Sequence, residues 1–227
     1  MTKEFISALT TKYWHSGGVH LAVRFLDTDD ADLKARIVGH MSTWSPGANI
    51  KFSDSHSNDA EVRIARTPGD GYWSYLGTDI LHIEADQPTM NLDSFSMDTP
   101  ETEYKRVVRH ETGHTLGFPH EHLRREVVGN IDPKKAIRYF LEADGWSAAT
   151  TKAQVLTPLE DSNLVETPTD TVSIMCCQLP GFIMRDGRFA PGGLDIDDQD
   201  RKFAQTLYPA SLVSTPHHAG KVSGHAR

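Results

Sequence analysis

A chain of 227 residues, 38% of them hydrophobic and 24% charged, is long enough for one well-filled domain or two small lobes around a cleft, and too short for two independent average domains. No run approaches the roughly 18 apolar residues that a membrane span needs, and a net charge of −8 offers no basic surface to phosphate backbones, so a membrane span and nucleic-acid binding are set aside. The only two cysteines, Cys176 and Cys177, are neighbours and cannot cross-link distant segments, so there is no disulfide framework.

Met1 to Thr11 contains Lys3 and Glu4 and lacks the apolar stretch of a signal peptide. Apolar residues alternate at Val19, Leu21, Val23 and Phe25 after Gly17-Gly18, which predicts a first strand. From Asp29 or Asp30, Leu33, Ile37, Met41 and Trp44 recur at helical spacing until Pro46-Gly47. Ile50 and Phe52, then Val62 and Ile64, predict short strands, as does Tyr72 to Leu76, with Asp79 to Ala85 as one more. A helix follows from Pro100 or Glu101 and carries Val107, Val108 and Leu116 to the core. Asp132-Pro133 caps another helix whose apolar face is Ala136, Ile137, Phe140 and Leu141. Trp146 to Asp170 is polar and loop-like. A last helix starts within Asp195 to Asp198, buries Phe203 and Leu207, and ends at Pro209. The Ser-, Gly- and His-rich tail from Ala210 to Arg227 has no periodicity and is read as disordered.

His110-Glu111-Thr112-Gly113-His114 puts two imidazoles at i and i+4 on one helix face with a carboxylate beside them. Gly117 comes three residues later, where a positive φ ends a helix and turns the chain so that His120 presents a third nitrogen. Three protein ligands leave zinc an open position for water, which is the pattern of a catalytic site and not of a structural one. The bland alternative is chance, because short H-E-x-x-H strings occur in ordinary helices. With 12 His and 17 Gly in the chain, a chance match at all five specified positions is roughly one in several thousand.

His110 to His120 matches the H-E-x-x-H-x-x-G-x-x-H signature of metzincins, and Ser173-Ile174-Met175 resembles their Met-turn. Gly117 to Arg124, with Glu121 directly after the third histidine, is similar to the astacin family. Tyr13 to Val19 resembles the opening of the mature astacin domain, Gly71 to Gly77 its substrate-facing edge strand, and Asp200 to Pro209 its closing helix. The resemblance implies an α+β metzincin-type fold. A twisted mixed sheet and the active-site helix would form an N-terminal lobe, about residues 1–117. A smaller irregular C-terminal lobe would span about 118–209, with a cleft between the two and the tail 210–227 outside. It implies one catalytic zinc held by His110, His114 and His120, Glu111 as general base, and Met175 as an apolar floor beneath the metal. Substrate would lie along the strand at Tyr72 and Trp73. Arg185 and Arg188 follow the Met-turn where the family builds the pocket for the residue after the cleaved bond, which implies a preference for an acidic residue there; two solvated loop arginines are the alternative.

The chain departs from the family at two points. The tyrosine that normally stands two residues after the Met is Cys177 here, and the family's paired cysteines are absent. A donor to the developing oxyanion is worth roughly 10²- to 10³-fold in rate, so its loss slows the enzyme unless another group serves. Cys177 offers itself as a fifth or inhibitory zinc ligand, against the alternative of a small residue filling the wall of the site. The function expected is zinc-dependent endopeptidase cleavage of a protein or peptide substrate. The alternatives are a non-catalytic zinc-containing peptide-binding module of the same fold, motivated by the missing tyrosine, and a zinc hydrolase of non-peptide amides. Secretion or delivery by a dedicated export route is expected, and the oligomeric state is left open.

Overall fold

The computed structural model describes residues 7–9, 11–14, 18–159, 164–166 and 169–210. The expected turn at Gly17, the histidine-rich tail beyond Ala210 and the residues before Ser7 lie outside them. The chain runs through β1 (Ser7–Leu9), β2 (Val19–Phe25), α1 (Ala31–Met41), β3 (Ile50–Asp54), β4 (Val62–Ala65), β5 (Tyr72–Ser74) and β6 (Met90–Leu92). It continues with α2 (Glu101–Glu103), α3 (Arg109–Thr115), α4 (Arg125–Asn130), α5 (Pro133–Asp144), α6 (Ala148–Thr151), β7 (Leu164–Glu166) and α7 (Asp198–Leu207). No helix among the described residues is long and apolar enough to cross a membrane.

Five strands form one mixed sheet in the order β3-β2-β4-β6-β5. Parallel pairing joins β2 to β3, β2 to β4 and β4 to β6, while β5 runs antiparallel to β6 with Trp73 opposite Asn91. The alternation in β2 buries Val19, Leu21, Val23 and Phe25 and leaves the residues between them more exposed, the period-2 pattern of a strand with one face on a core. The α1 helix begins as its sequence dictates, with the Asp30 carboxylate accepting from the Asp32 and Leu33 amides at 3.1 Å each. Its Leu33, Ile37 and Met41, with Trp44 on the following 3-10 turn, are all 2% exposed or less. Each contributes about 1.5–3 kcal/mol by leaving water.

Two apolar cores result. The first lies between the sheet, α1 and α3, and also takes in Ile174 and Met175 and the closing-helix residues Phe203, Ala204 and Tyr208. The second gathers Val127, Ile131, Ala136, Val155, Leu179 and Ile183, with Tyr139, Phe140 and Trp146 packed against it. The α+β architecture with a mixed sheet is therefore as expected. Three local expectations are corrected. Residues Gly77–His82 form a 3-10 turn instead of a strand: Ile80 and Ile83 are three residues apart, the repeat of a 3-10 turn, and only Ile80 is fully buried. The segment after Trp146 is not all loop, because Ser147 caps α6 by accepting from the Thr150 amide at 3.0 Å and the helix continues as a π-helical turn through Leu156. Leu141, expected on the apolar face of α5, is 56% exposed.

Candidate metal centre and active-site cleft

The helical run that bears the site spans residues 101–115 and contains a wide π-helical turn, Tyr104–Val108, directly before α3. Both ends of α3 are pinned. Trp44 Nε1 donates to the Arg109 carbonyl at 2.9 Å, Trp14 Nε1 to the Thr115 carbonyl at 2.9 Å, and the Tyr208 hydroxyl to the Leu116 carbonyl at 2.6 Å. The last two satisfy carbonyls that a helix end leaves without an internal partner. Gly117 then adopts φ +95°, and a Cβ at that position would lie 2.9 Å from the Tyr13 Cα. Only glycine takes both that conformation and that approach without strain. The reversal carries the chain to His120.

The three histidines of the signature meet. His110 Nε2 and His114 Nε2 each lie 3.1 Å from His120 Nε2. Their outer nitrogens face carbonyl oxygens: His110 Nδ1–H donates to Ile174 at 2.6 Å and His114 Nδ1–H to Phe118 at 2.8 Å. A carbonyl only accepts, so each Nδ1 carries the proton and each Nε2 presents a lone pair to the cluster. Burial, then the neighbouring rings, hold these imidazoles neutral: His110 is pushed down to about 4, His114 to about 3, and His120 well below its ordinary value. Lone pairs facing one another at this distance repel unless a cation or a proton sits among them.

Glu111, next to His110 on α3, is 5% exposed and lines the cleft, and its Oε2 has no hydrogen-bond partner among the described residues. Burial pushes its carboxyl up to about 8, with the Arg106 guanidinium opposing the rise. Met175 is fully buried behind α3, where a Cβ on Gly113 would overlap its sulfur. The turn that carries it is held by Asp200 of α7, whose carboxylate accepts from Ser173 Oγ at 2.6 Å and from the Ile174 amide at 3.1 Å. Cys177 is half-buried in the cleft wall, and burial pushes its thiol up to about 12. Its sulfur groups with His120 and His122, whereas the His110, His114 and His120 nitrogens group without it.

The cleft has a volume of about 620 Å³. One wall is the free edge of β5, where Tyr72, Trp73 and Ser74 face the cleft and Ser74 Oγ lies 3.1 Å from Thr115 Oγ1 on α3. Trp73 is half-buried, with its Nε1 donating to Asp70 at 3.0 Å. The opposite wall is Trp146, Thr150, Gln154, Cys177 and Gln178. Arg185 and Arg188 are not among the lining residues. The Arg185 amide is tied to the Asn130 carbonyl at 2.6 Å, and Arg188 lines a separate cavity with Glu126 and Phe189. Sequence reasoning missed Arg106, Trp146 and Gln154. The first is a charged residue one helical turn before His110, a signal that was readable; the other two sit in a segment whose Ala-Ala-Thr-Thr stretch gives weak helical signal because β-branched residues resist helix.

The sequence profile of the astacin peptidase family matches residues 7–136, more than half of the chain. The chain belongs to the astacin family. Zinc metalloproteinase nas-27 of Caenorhabditis elegans is 33% identical over 118 residues, a match covering 49% of this chain and 25% of that protein. The chain thus spans about a quarter of that relative's length. The solved structure of myroilysin superposes with a TM-score of 0.83 at 28% identity, covering 91% of this chain and 100% of that one. High choriolytic enzyme 1, a hatching enzyme zinc-protease from Oryzias latipes, has a TM-score of 0.58 at 19% identity over 88% of this chain and 95% of its own, a likeness of fold. The astacin family is one of metzincin-type zinc metallopeptidases, which use one catalytic zinc. The donor set fits that ion: neutral imidazole nitrogens 3.1 Å apart compare with about 3.3 Å for tetrahedral ligands at 2.0–2.1 Å from zinc.

Proposed function

We propose that this astacin cleaves peptide bonds within extended protein segments, with zinc held by His110, His114 and His120 and with Glu111 as the general base. The observation that carries the reading is the convergence of three neutral imidazoles, with the Nε2 atoms of His110 and His114 each 3.1 Å from that of His120, beside a buried carboxylate with one oxygen that has no partner among the described residues. Zinc bound there supplies Lewis-acid chemistry, lowering the pKa of water and polarising a carbonyl. Glu111 takes the proton of the attacking water on its free oxygen and passes it to the leaving amine. The Ile174 and Phe118 carbonyls fix the His110 and His114 rings, so the donor cluster needs no reorganisation. Met175 closes the floor as an apolar side chain.

Substrate adds to the free edge of β5 as a further strand, in a cleft walled by Tyr72 and Trp73 on one side and by Trp146 and Gln154 on the other. The acidic preference expected from Arg185 and Arg188 draws no support from their positions outside the cleft. Action outside the producing cell is part of the proposal. Incubating an unstructured protein with the zinc-loaded chain and with chelator-treated chain tests the reading. Cleavage by the zinc form alone is expected. A folded, zinc-loaded chain that binds peptides and cuts none of a broad library would instead make it a peptide-binding module, with the missing tyrosine at Cys177 as the reason.

A further inference from the structure

Ligand atoms converge at a second place beside the three signature histidines. A ring nitrogen of His122, a ring nitrogen of His120 and the Cys177 sulfur lie within 4.8 Å of one another. His122 sits on the 3-10 turn Glu121–Leu123, and its ring centroid is 4.8 Å from that of His120. Its side chain is buried, with the residue 3% exposed. Nε2–H donates to the Gln154 carbonyl at 3.0 Å, which fixes the tautomer and leaves Nδ1 as the nitrogen with the lone pair. That Nδ1 is buried without a hydrogen-bond partner among the described residues. Buried polar atoms in folded chains are rarely left so without a reason. The arrangement repeats that of His110 and His114, where a carbonyl takes one N–H and the other nitrogen faces a donor cluster. The mechanism proposed above gives His122 nothing to do.

We infer that His120, His122 and Cys177 form a second cation site, beside the catalytic one, for a thiophilic d¹⁰ ion such as Cd²⁺ or excess Zn²⁺. Two imidazoles and one thiol are a soft donor set that selects such ions over hard cations. Ligands at 2.0–2.1 Å (N) and 2.3 Å (S) from one ion stand about 3.6 Å apart. The set is at most about 1.5 Å wider, and binding requires the Cys177 and His122 side chains to close that gap by rotation. As the second ion binds, the Cys177 thiol proton and the remaining ring proton of His120 leave to solvent, so that His120 bridges the two ions as an imidazolate while His122 and Cys177 bind only the second, and nothing is oxidised or reduced. Cys177 lines the substrate cleft and His120 belongs to both donor sets. A filled second site therefore obstructs substrate and draws on a residue of the first, so peptide hydrolysis falls as it fills. This inference rests on the triad being the catalytic zinc site.

The test is a titration of the zinc-loaded chain, at one zinc per chain, with Cd²⁺ alone. Thiolate-to-metal charge-transfer absorption is followed in the ultraviolet, and retained zinc is measured after desalting. The expected result is absorption that saturates at about one Cd²⁺ per chain with zinc retained, and loss of peptide hydrolysis in step with it. Cys177→Ser gives no band. His122→Gln, whose amide keeps a donor for the Gln154 carbonyl but lacks the ligand nitrogen, needs at least about tenfold more Cd²⁺. The inference is overturned if the wild type shows no band, if the band grows only as zinc leaves, or if His122→Gln titrates like the wild type. A chain that takes up no first zinc defeats the triad reading instead, and the same titration of the metal-free chain then reads the Cys177 set directly.

Discussion

Replacing Gly113 by alanine tests the packing that seats α3 on the Met175 turn. Helix propensity alone favours alanine by about 1 kcal/mol in a helix interior. The new methyl, however, overlaps the Met175 sulfur and comes within 3.1 Å of its Cε and 3.3 Å of Trp44 Cζ2, in a region where both residues are 1% exposed or less. Overpacking of this kind costs about 1–3 kcal/mol, and the full burial of Met175 and Trp44 puts Gly113 in the upper half of that range. The net loss is about 1–2 kcal/mol, or a fall of roughly 2–8 °C in Tm for a chain of this size. Moving Met175 also shifts the adjoining Ile174 carbonyl, which takes the His110 N–H at 2.6 Å. Disturbing such an outer partner lowers metal affinity by about 10- to 100-fold. Thermal unfolding of the metal-free chain reads the first effect, and competition against a chromophoric chelator reads the second. A Tm raised by the propensity gain, with zinc affinity unchanged, would refute the packing argument.

Three other perturbations probe the frame and the donors. Tyr208→Phe removes the hydroxyl that donates to the Leu116 carbonyl at 2.6 Å and accepts from the Trp14 amide at 3.1 Å; an expected loss of about 1–3 kcal/mol in urea unfolding would be contradicted by an unchanged midpoint. Burial raises the Asp200 carboxyl to about 7 from 3.8, against the pull of its hydrogen bond from Ser173. Between those values the folded chain keeps a proton that the unfolded chain has lost, so the stability due to Asp200 is full below about pH 4 and is lost as pH rises to about 7, at most roughly 4 kcal/mol. Asp200→Asn should remove that slope, and equal slopes in the two proteins from pH 4 to 7 would sink the assignment. His120→Ala should lower zinc affinity by more than about 100-fold, beyond the effect of losing an outer partner; a variant that keeps one zinc per chain through dialysis would show that His120 is not a ligand.

The site was legible in the sequence to the extent that its geometry is local. An i, i+4 pair on a helix, a glycine that must take positive φ, and a third histidine three residues later fix their own arrangement, and the structure brings His110, His114 and His120 together accordingly. Strand β2 and helix α1 were readable for the same reason, since one face of each is buried at a clean period. What stayed hidden depends on long-range packing. The cleft wall at Trp146 and Gln154 is set by how residues 148–156 pack beside the 3-10 turn at Leu123 and into the second core through Val155, and no short repeat reports that. Arg185 and Arg188 stand at the expected distance after Met175, but the Arg185 amide pairs with Asn130, and the segment turns toward α4 instead of the cleft. The His122 Nδ1, which has no partner among the described residues, is left so because the Gln154 carbonyl, 32 residues away, takes the other N–H, a contact that no local pattern reports.

The proposed reaction stands or falls on Glu111 moving the proton beside a zinc held by three histidines. The measurement that reaches this step without intermediaries is kcat/KM of Glu111→Gln on a cleavable peptide, with zinc content determined on the same sample. One zinc per chain in both proteins is expected, with a fall of about 10²- to 10⁴-fold in kcat/KM for the variant. Activity within about tenfold of the wild type at equal zinc content would contradict the role of Glu111.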